Sequence, residues 1–241
     1  MTRPVVGVAL RLLIAVINVP RKVGRKAWIR CFKLTAQRAH LFGMNEAGWL
    51  PQKRVYQRLA RQLGLTFWGL FRGPNPVFWD PDIFRKLSAR QIKLHARAKG
   101  RLAQRWIGFN AARYLTEVVL RHIATKTIIA VLNTHLVPPG PKVEPWWRAR
   151  MRKRSLARIR SLVHAHLAAG RIVVLMGDHN LLGKLDIPGV TWLVFEGVDK
   201  LAIAVPAGVS LDGFSIDDFL APTDHKRGHA AEAHLTIGAA A

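Results

Sequence analysis

Cysteine is nearly missing from this chain of 241 residues: Cys31 stands alone, so no disulfide can form within the chain and no cysteine-built zinc site is available. Cys31 has no surrounding Cys/His signature and is assigned no chemical role. Packing alone must hold such a fold together, and a reducing, cytoplasmic location is expected. Acidic residues are also scarce. Against 38 Lys and Arg there are 14 Asp and Glu, a formal net charge of +24 and an isoelectric point near 11.6, so the surface attracts polyanions. No stretch reaches the roughly 20 apolar residues of a membrane span. The opening MTRPVVGVALRLLIAVINVP has the basic start and apolar run of a signal peptide, but Arg11 interrupts it and no small-residue cleavage site precedes RKVGRK. Repeats and low-complexity linkers are absent too, so one domain over residues 1–241 is expected.

What is present is a globular composition, half of it apolar, with Val, Ile and Leu in short runs. Residues 10–18 read as a buried strand stopped by Pro20, which has no N–H to give a sheet. Residues 27–40 suit a helix, and LFGMNEAGWL brings Glu46 after a turn marked by glycine. In QKRVYQRLARQLGL, Val55, Leu59 and Leu63 recur every four residues, an amphipathic helix with Gly64 as its stop. Residues 66–114 read as alternating strand and loop, with Trp68, Phe71, Phe78 and Trp79 as core filling. YLTEVVLRHI and TKTIIAVLNTHL read as a hairpin. EPWWRARMRKRSLARIRSLVHAHLAAG reads as a long helix, with Trp147, Met151, Ile159, Val163 and Leu167 near the helical period and Gly170 as its stop. RIVVLMGDHN is a further buried strand, TWLVFEGVDKLAIAVP a strand pair, and PTDHKRGHAAEAHLTI a loop and a last strand.

Several apolar strands end in small polar clusters: Asn18, then Asn133 with His135, then Asp178 with Asn180, while Asp224 and His225 precede the last strand. Residues i and i+2 of a strand share a face, so each pair can serve one pocket. Taken alone, Gly-Asp-x-Asn is a common local turn and Glu46 an ordinary solvated residue. In order along the chain, however, NV at 18, NE at 45, NTHL at 133, GDHN at 177 and TDH at 223 resemble the exonuclease/endonuclease/phosphatase superfamily, which includes pancreatic-type deoxyribonucleases and abasic-site endonucleases. The resemblance runs from about residue 10 to about 237.

That resemblance implies an α/β fold, a four-layer sandwich of two mixed β-sheets flanked by helices, with the active site along one edge. It implies a Mg²⁺ or Mn²⁺ ion held by Glu46 with Asn18 close by and Asp224 as a further carboxylate. Asp178 would orient or deprotonate the attacking water, and Asn180 would hold the water or a phosphate oxygen. His135 would donate to the phosphoryl oxygens or assist the leaving group. His225 would meet the scissile phosphate as acid or base, and Asp199 would fix the catalytic imidazole. The activity implied is metal-dependent phosphodiester hydrolysis, with nucleic acid as partner and DNA favoured over RNA by analogy. Arg97, Lys99, Arg101, Arg105, Arg148 and Arg152, in the basic segments 85–105 and 148–160, would track the substrate backbone.

Three features depart from the pattern. Val19 stands where some members carry an acidic ligand, no second acidic or tyrosine signature lies between Glu46 and His135, and His179 replaces the usual aromatic of the GDHN motif. Two other functions compete: a phosphatase or phosphodiesterase for a phosphoinositide, phospholipid or small phosphate ester, and a nucleic-acid-binding module with a decayed site.

Overall fold

A computed structural model describes residues 10–18, 25–47, 50–71, 75–95, 113–138, 146–180, 185–194, 199–220 and 229–239. The apolar runs become strands with both faces covered. In β1 (Leu10–Asn18), Leu12, Ile14 and Val16 point to one side and Ala15 and Ile17 to the other, all of them buried. A strand buried on both faces shows a continuous apolar run instead of an alternating one. The first sheet has the order β11-β12-β1-β2-β4-β3, with β2 at Leu41–Asn45, β3 at Thr66–Trp68, β4 at Val77–Trp79, β11 at Val209–Leu220 and β12 at His229–Ala239. The second has the order β5-β6-β7-β8-β10-β9, with β5 at Phe84–His95, β6 at Arg113–His122, β7 at Ile128–His135, β8 at Ile172–Asp178, β9 at Thr191–Val194 and β10 at Asp199–Ala204. Both sheets are mixed, since β1 with β2 and β7 with β8 are parallel while the other pairs are antiparallel.

Three clusters of buried side chains define four layers. Leu12, Ile14 and Val16 meet Val118, Ile129, Val131, Val174 and Met176 between the sheets. Helices α1 (Arg25–Arg38) and α2 (Leu50–Gln62) cover the outer face of the first sheet through Trp28, Phe32 and Tyr56. Helix α3 (Trp146–Ala168) covers the second through Ile159 and Val163. Each such aliphatic side chain, once buried, contributes about 1.5–3 kcal/mol. The expected four-layer α/β sandwich is therefore the fold.

The expected helix stops take a specific form. Gly64 and Gly170 both have positive φ, 72° and 69°, and the residue after each donates to a carbonyl five back, Leu65 N–H to Ala60 O at 2.8 Å and Arg171 N–H to His166 O at 3.0 Å. This glycine cap satisfies carbonyls that the helix end leaves open. Three expectations need correction. Phe71, expected as core filling, is 45% exposed. The glycine before Glu46 marks no turn: Gly43 lies inside β2, where an added Cβ would come 2.2 Å from Met176 Sδ, so glycine lets the two sheets approach. The buried face of α3 also departs from the apolar period, since Trp147, Met151 and Leu167 are half-buried while Arg148, Ser155 and His166 are buried.

Of the polar members of that face, His166 is matched from the sheet. Glu117 of β6 accepts two hydrogen bonds from Arg90 of β5, at 2.8 and 3.0 Å, and His166 Nε2 lies 3.3 Å from Glu117 Oε2. Burial alone would raise the Glu117 pKa, yet His166 and Arg90 together bring it below its usual range. Arg90 is largely exposed, so solvent screens its share. Glu117→Gln is expected to destabilise the fold by about 1–3 kcal/mol at neutral pH. Because the folded-state pKa is depressed, this contribution is present above the ordinary carboxylate pKa and fades as pH falls below it. Urea midpoints of both proteins should accordingly converge below pH ~4.5.

Candidate functional site

Strand parity carries the polar clusters to one edge of the sandwich. In β7 the inward series Ile129, Val131 continues to Asn133 and His135, and in β8 the inward series Ile172, Val174, Met176 continues to Asp178. The strands are parallel with His135 opposite Asp178, and Asp199 at the start of β10 is opposite Asp178 on its other side. In the first sheet Asn18 ends β1 opposite Asn45, the last residue of β2, and His229 opens β12 opposite Asn18. Glu46 follows directly with φ of 54°. The expected residues Asn18, Glu46, His135, Asp178, Asn180 and Asp199 thus all sit at the ends of neighbouring strands.

Three buried asparagines bind the sheets together beneath this edge. Asn133 Nδ2 donates across the sandwich to Met44 O at 3.1 Å and Pro76 O at 2.9 Å. Asn75 Nδ2 donates to Tyr114 O at 3.0 Å. With its amide turned to suit its neighbours, Asn45 donates to Thr134 O and Asn75 Oδ1 and accepts from Asp178 N–H at 2.8 Å. Amides satisfied in this way are stable in the interior and fix a single relative position of the two sheets. Asn133, which the sequence pattern paired with His135, is thereby occupied in joining the sheets.

The Asp178 carboxylate is almost fully buried. Its Oδ1 accepts from Asn180 N–H at 2.9 Å, and its Oδ2 lies 3.5 Å from His135 Nε2. Asn180, at φ of 52°, sends its Nδ2 to Leu136 O at 2.9 Å, which leaves its side-chain oxygen as the acceptor for a water or donor. The local Asp-x-Asn turn and the site geometry are therefore the same structure. Arg113, which opens β6, went unremarked in the sequence. Burial lowers its pKa, the carboxylates of Asp178 and Glu46 oppose that, and Arg148 adds repulsion, so the guanidinium lies within electrostatic range of both acids. Its buried Nε makes no hydrogen bond among the described residues. The one sequence signal for it is a basic residue immediately before an apolar strand whose partner ends in Asn-Thr-His.

His135 is pushed down to about 3 by burial, then by Arg113 and His179, and its Nδ1 has no partner among the described residues. At neutral pH it is an uncharged imidazole, suited to donating a hydrogen bond and unsuited to delivering a proton as an acid. His179 is also held near 3 by burial and Lys200. It is fully buried and meets Trp192 edge-on at 6.0 Å, so it packs as an aromatic ring would. Both rings bind protons more readily when unfolded, so stability should fall as pH drops from about 6.5 toward 3, by up to about 1.4 kcal/mol per pH unit for each ring. Urea midpoints of metal-free protein between pH 7.5 and 5 measure this, and His179→Phe should remove about half of the slope.

Of the expected backbone-tracking residues, Arg148 is 2% exposed, its guanidinium over the Trp147 ring and near Arg113, so it belongs to the buried flank of the site and not to an open surface. Arg152 is half-buried. Arg97, Lys99, Arg101, Arg105, Asp224 and His225 lie outside the described residues. Among the described residues no three of His, Cys, Asp and Glu form a ready-made metal cage, and no helix is long and apolar enough to cross a membrane.

No protein-family model and no curated protein matches the sequence. Solved structures do. An endonuclease/exonuclease/phosphatase protein from Bacteroides vulgatus superposes with a TM-score of 0.66 at 15% identity, covering 94% of this chain and 98% of its own. The mannosyl-6-phosphatase Bt3783 of Bacteroides thetaiotaomicron gives 0.63 at 12% identity, over 93% and 99%. TDP2 of D. rerio, complexed with a single-strand DNA product, gives 0.61 at 12% identity, over 94% and 98%. From the helix-flanked pair of mixed sheets to the placement of the motif residues on one edge, the chain has the fold of the endonuclease/exonuclease/phosphatase proteins.

Proposed function

We propose that this protein is a divalent-metal-dependent phosphodiesterase that hydrolyses nucleic acid, DNA first, with little sequence specificity. The observation that carries the proposal is the meeting of Glu46, His135, Asp178, Asn180 and Arg113 at one sandwich edge of a chain with net charge +24. Carboxylate and amide oxygens are donors for Mg²⁺ or Mn²⁺, and Mg²⁺ characteristically uses one or two protein carboxylates and completes its shell with water and phosphate. Glu46 suits that role because it is half-buried and forms no ion pair among the described residues. Glu46, with Asn18 and Asp224, would hold the ion, whose charge offsets that of the phosphate and the leaving oxygen.

The side chains supply the rest. Asp178 accepts the proton of a water held by the Asn180 oxygen, and that water attacks phosphorus in line with the ester oxygen. Arg113 and the neutral His135 donate to the non-bridging oxygens as negative charge builds there. The P–O ester bond breaks, and His225 returns a proton to the departing alkoxide. The residues 1–241 work as one catalytic domain.

Fold alone also accommodates a phosphatase for small esters, and the equally close overlap with a mannosyl-6-phosphatase keeps that as the second reading. A decayed binding module fits less well, because Asp178 and His135 remain in contact and Asn180 remains oriented. Incubation of wild type and Glu46→Gln with supercoiled plasmid in Mg²⁺, Mn²⁺ or EDTA separates these. Nicking that needs metal and disappears in the variant supports the nuclease. Intact plasmid in every metal, with turnover of a sugar phosphate, transfers the site to small esters.

A further inference from the structure

The N-terminal half of α3 breaks three local rules together. Residues 148–160 hold seven Lys and Arg and no Asp or Glu, although the first turn of a helix favours acids and repels cations. Arg150, Arg154 and Arg158, all exposed, recur every four residues, where like charges repel. One step earlier in the same series stands Trp146, 72% exposed, the most exposed of the large hydrophobic side chains among the described residues. Positions i, i+4, i+8 and i+12 form one ridge rising about 6 Å per step. Arg160 is engaged by Asp186, and because two residues turn a helix by about 200°, Arg158 lies on the opposite flank. Local conflicts of this kind, retained on a surface, mark a functional region.

The ridge begins at the end of α3 nearest the site. Helix α3 follows β7, whose end carries His135, and Arg148 in its first turn is close enough to Arg113 to repel it. We infer that Trp146, Arg150, Arg154 and Arg158 form a track for single-stranded nucleic acid leading away from the catalytic edge, with a base stacked on the indole and successive phosphates on the arginines. Such a combination of one aromatic platform and a line of cations is how proteins hold single strands without reading sequence. A membrane surface fits less well, because Ala157 and Ser161 are neighbours on this flank, Trp147 and Met151 are half-buried, and Trp146 is the one exposed large apolar side chain among the described residues of α3. The inference rests on the nucleic-acid reading of the substrate and adds where the strand runs.

The test is binding in EDTA, where cleavage is not read. Fluorescence anisotropy with a labelled single strand of about 16 nucleotides and its duplex, over a KCl series, compares wild type, Trp146→Ala, the triple variant Arg150→Gln/Arg154→Gln/Arg158→Gln, and an α2 triple, Arg54→Gln/Arg58→Gln/Arg61→Gln. The α2 arginines are exposed on the opposite side of the sandwich and remove the same charge. The α3 triple should flatten the slope of log affinity on log salt by about 2, three contacts at about 0.7 each, and the α2 triple should leave it in place. Trp146→Ala should weaken single-strand binding about 5- to 100-fold with the slope kept and duplex binding unaffected. Equal slopes for the two triples, unchanged single-strand affinity of Trp146→Ala, or a wild type that binds only phosphatidylserine vesicles would each overturn the track. A wild type that shows the expected binding yet never cuts plasmid would sink the nuclease reading and leave the track standing.

Discussion

Asp178→Asn should keep the fold and lower metal-dependent phosphodiester turnover by about 10²- to 10⁴-fold, the range over which a positioned proton acceptor acts. The argument is local. Asparagine retains an oxygen at the Oδ1 position, so the 2.9 Å bond from Asn180 N–H and the turn built on it can persist. The backbone bonds of residue 178, to Asn45 and from Leu136, do not involve the side chain. What disappears is the negative charge beside Arg113 and the ability to accept a proton from water. Asp178→Ala removes the turn acceptor as well, so it should show a similar loss of turnover with an added loss of stability of about 1 kcal/mol. Steady-state kinetics on plasmid or oligonucleotide, with circular dichroism melts of each variant, separate the two effects. If Asp178→Asn turns over at the wild-type rate, water activation belongs to another residue and the mechanism proposed for this edge is wrong. A fall confined to KM would instead give Asp178 a substrate-binding role.

Much of this arrangement was legible in the residues because strand periodicity is strict. Once β1, β7 and β8 are recognised as strands, the parity of Val16, Val131 and Val174 fixes which polar residue at each end shares their face, and Asn18, His135 and Asp178 follow. Gly64 and Gly170 were equally plain, since a helix pattern that stops at glycine has a known cap. The asparagine bolts were not legible. Whether a buried amide binds phosphate or a carbonyl depends on what the opposite sheet presents, and only the fold sets Met44 O and Pro76 O against Asn133. Gly43 misled for the same reason: a glycine before a polar residue suggests a turn until Met176 is seen above it. In α3 the apolar period placed Trp147 and Met151 inward, but Glu117 of β6 gives His166 a charged partner and so allows a polar residue on the buried face. Arg113 escaped notice because what singles it out is the charge of Asp178 and Glu46, which are distant from it in sequence.

Gly177→Ala tests the geometry of the site without touching any of its functional groups. Gly177 stands opposite Thr134 in the parallel pairing of β7 and β8, one residue before the His135 and Asp178 pair. Its φ is 133°, and a Cβ there would lie 1.9 Å from Thr134 O, 2.9 Å from its carbonyl carbon and 3.0 Å from its nitrogen. All three are backbone atoms of a central strand, so relief requires β7 and β8 to separate where both deliver their functional residues. The substitution should therefore destabilise by more than about 4 kcal/mol, the range reserved for strain and overpacking at a central position. Gly208→Ala is the matched control. Its φ of 79° is also left-handed, but nothing lies within 4 Å of an added Cβ, so only the backbone preference is lost, about 1 kcal/mol. Urea unfolding of the two variants should differ by several kcal/mol, and any folded Gly177→Ala protein should lose turnover because His135 and Asp178 no longer share a register. Equal stability of the two variants would mean that the strands tolerate a side chain at position 177, and the close pairing of β7 with β8 would then not be what holds these residues in place.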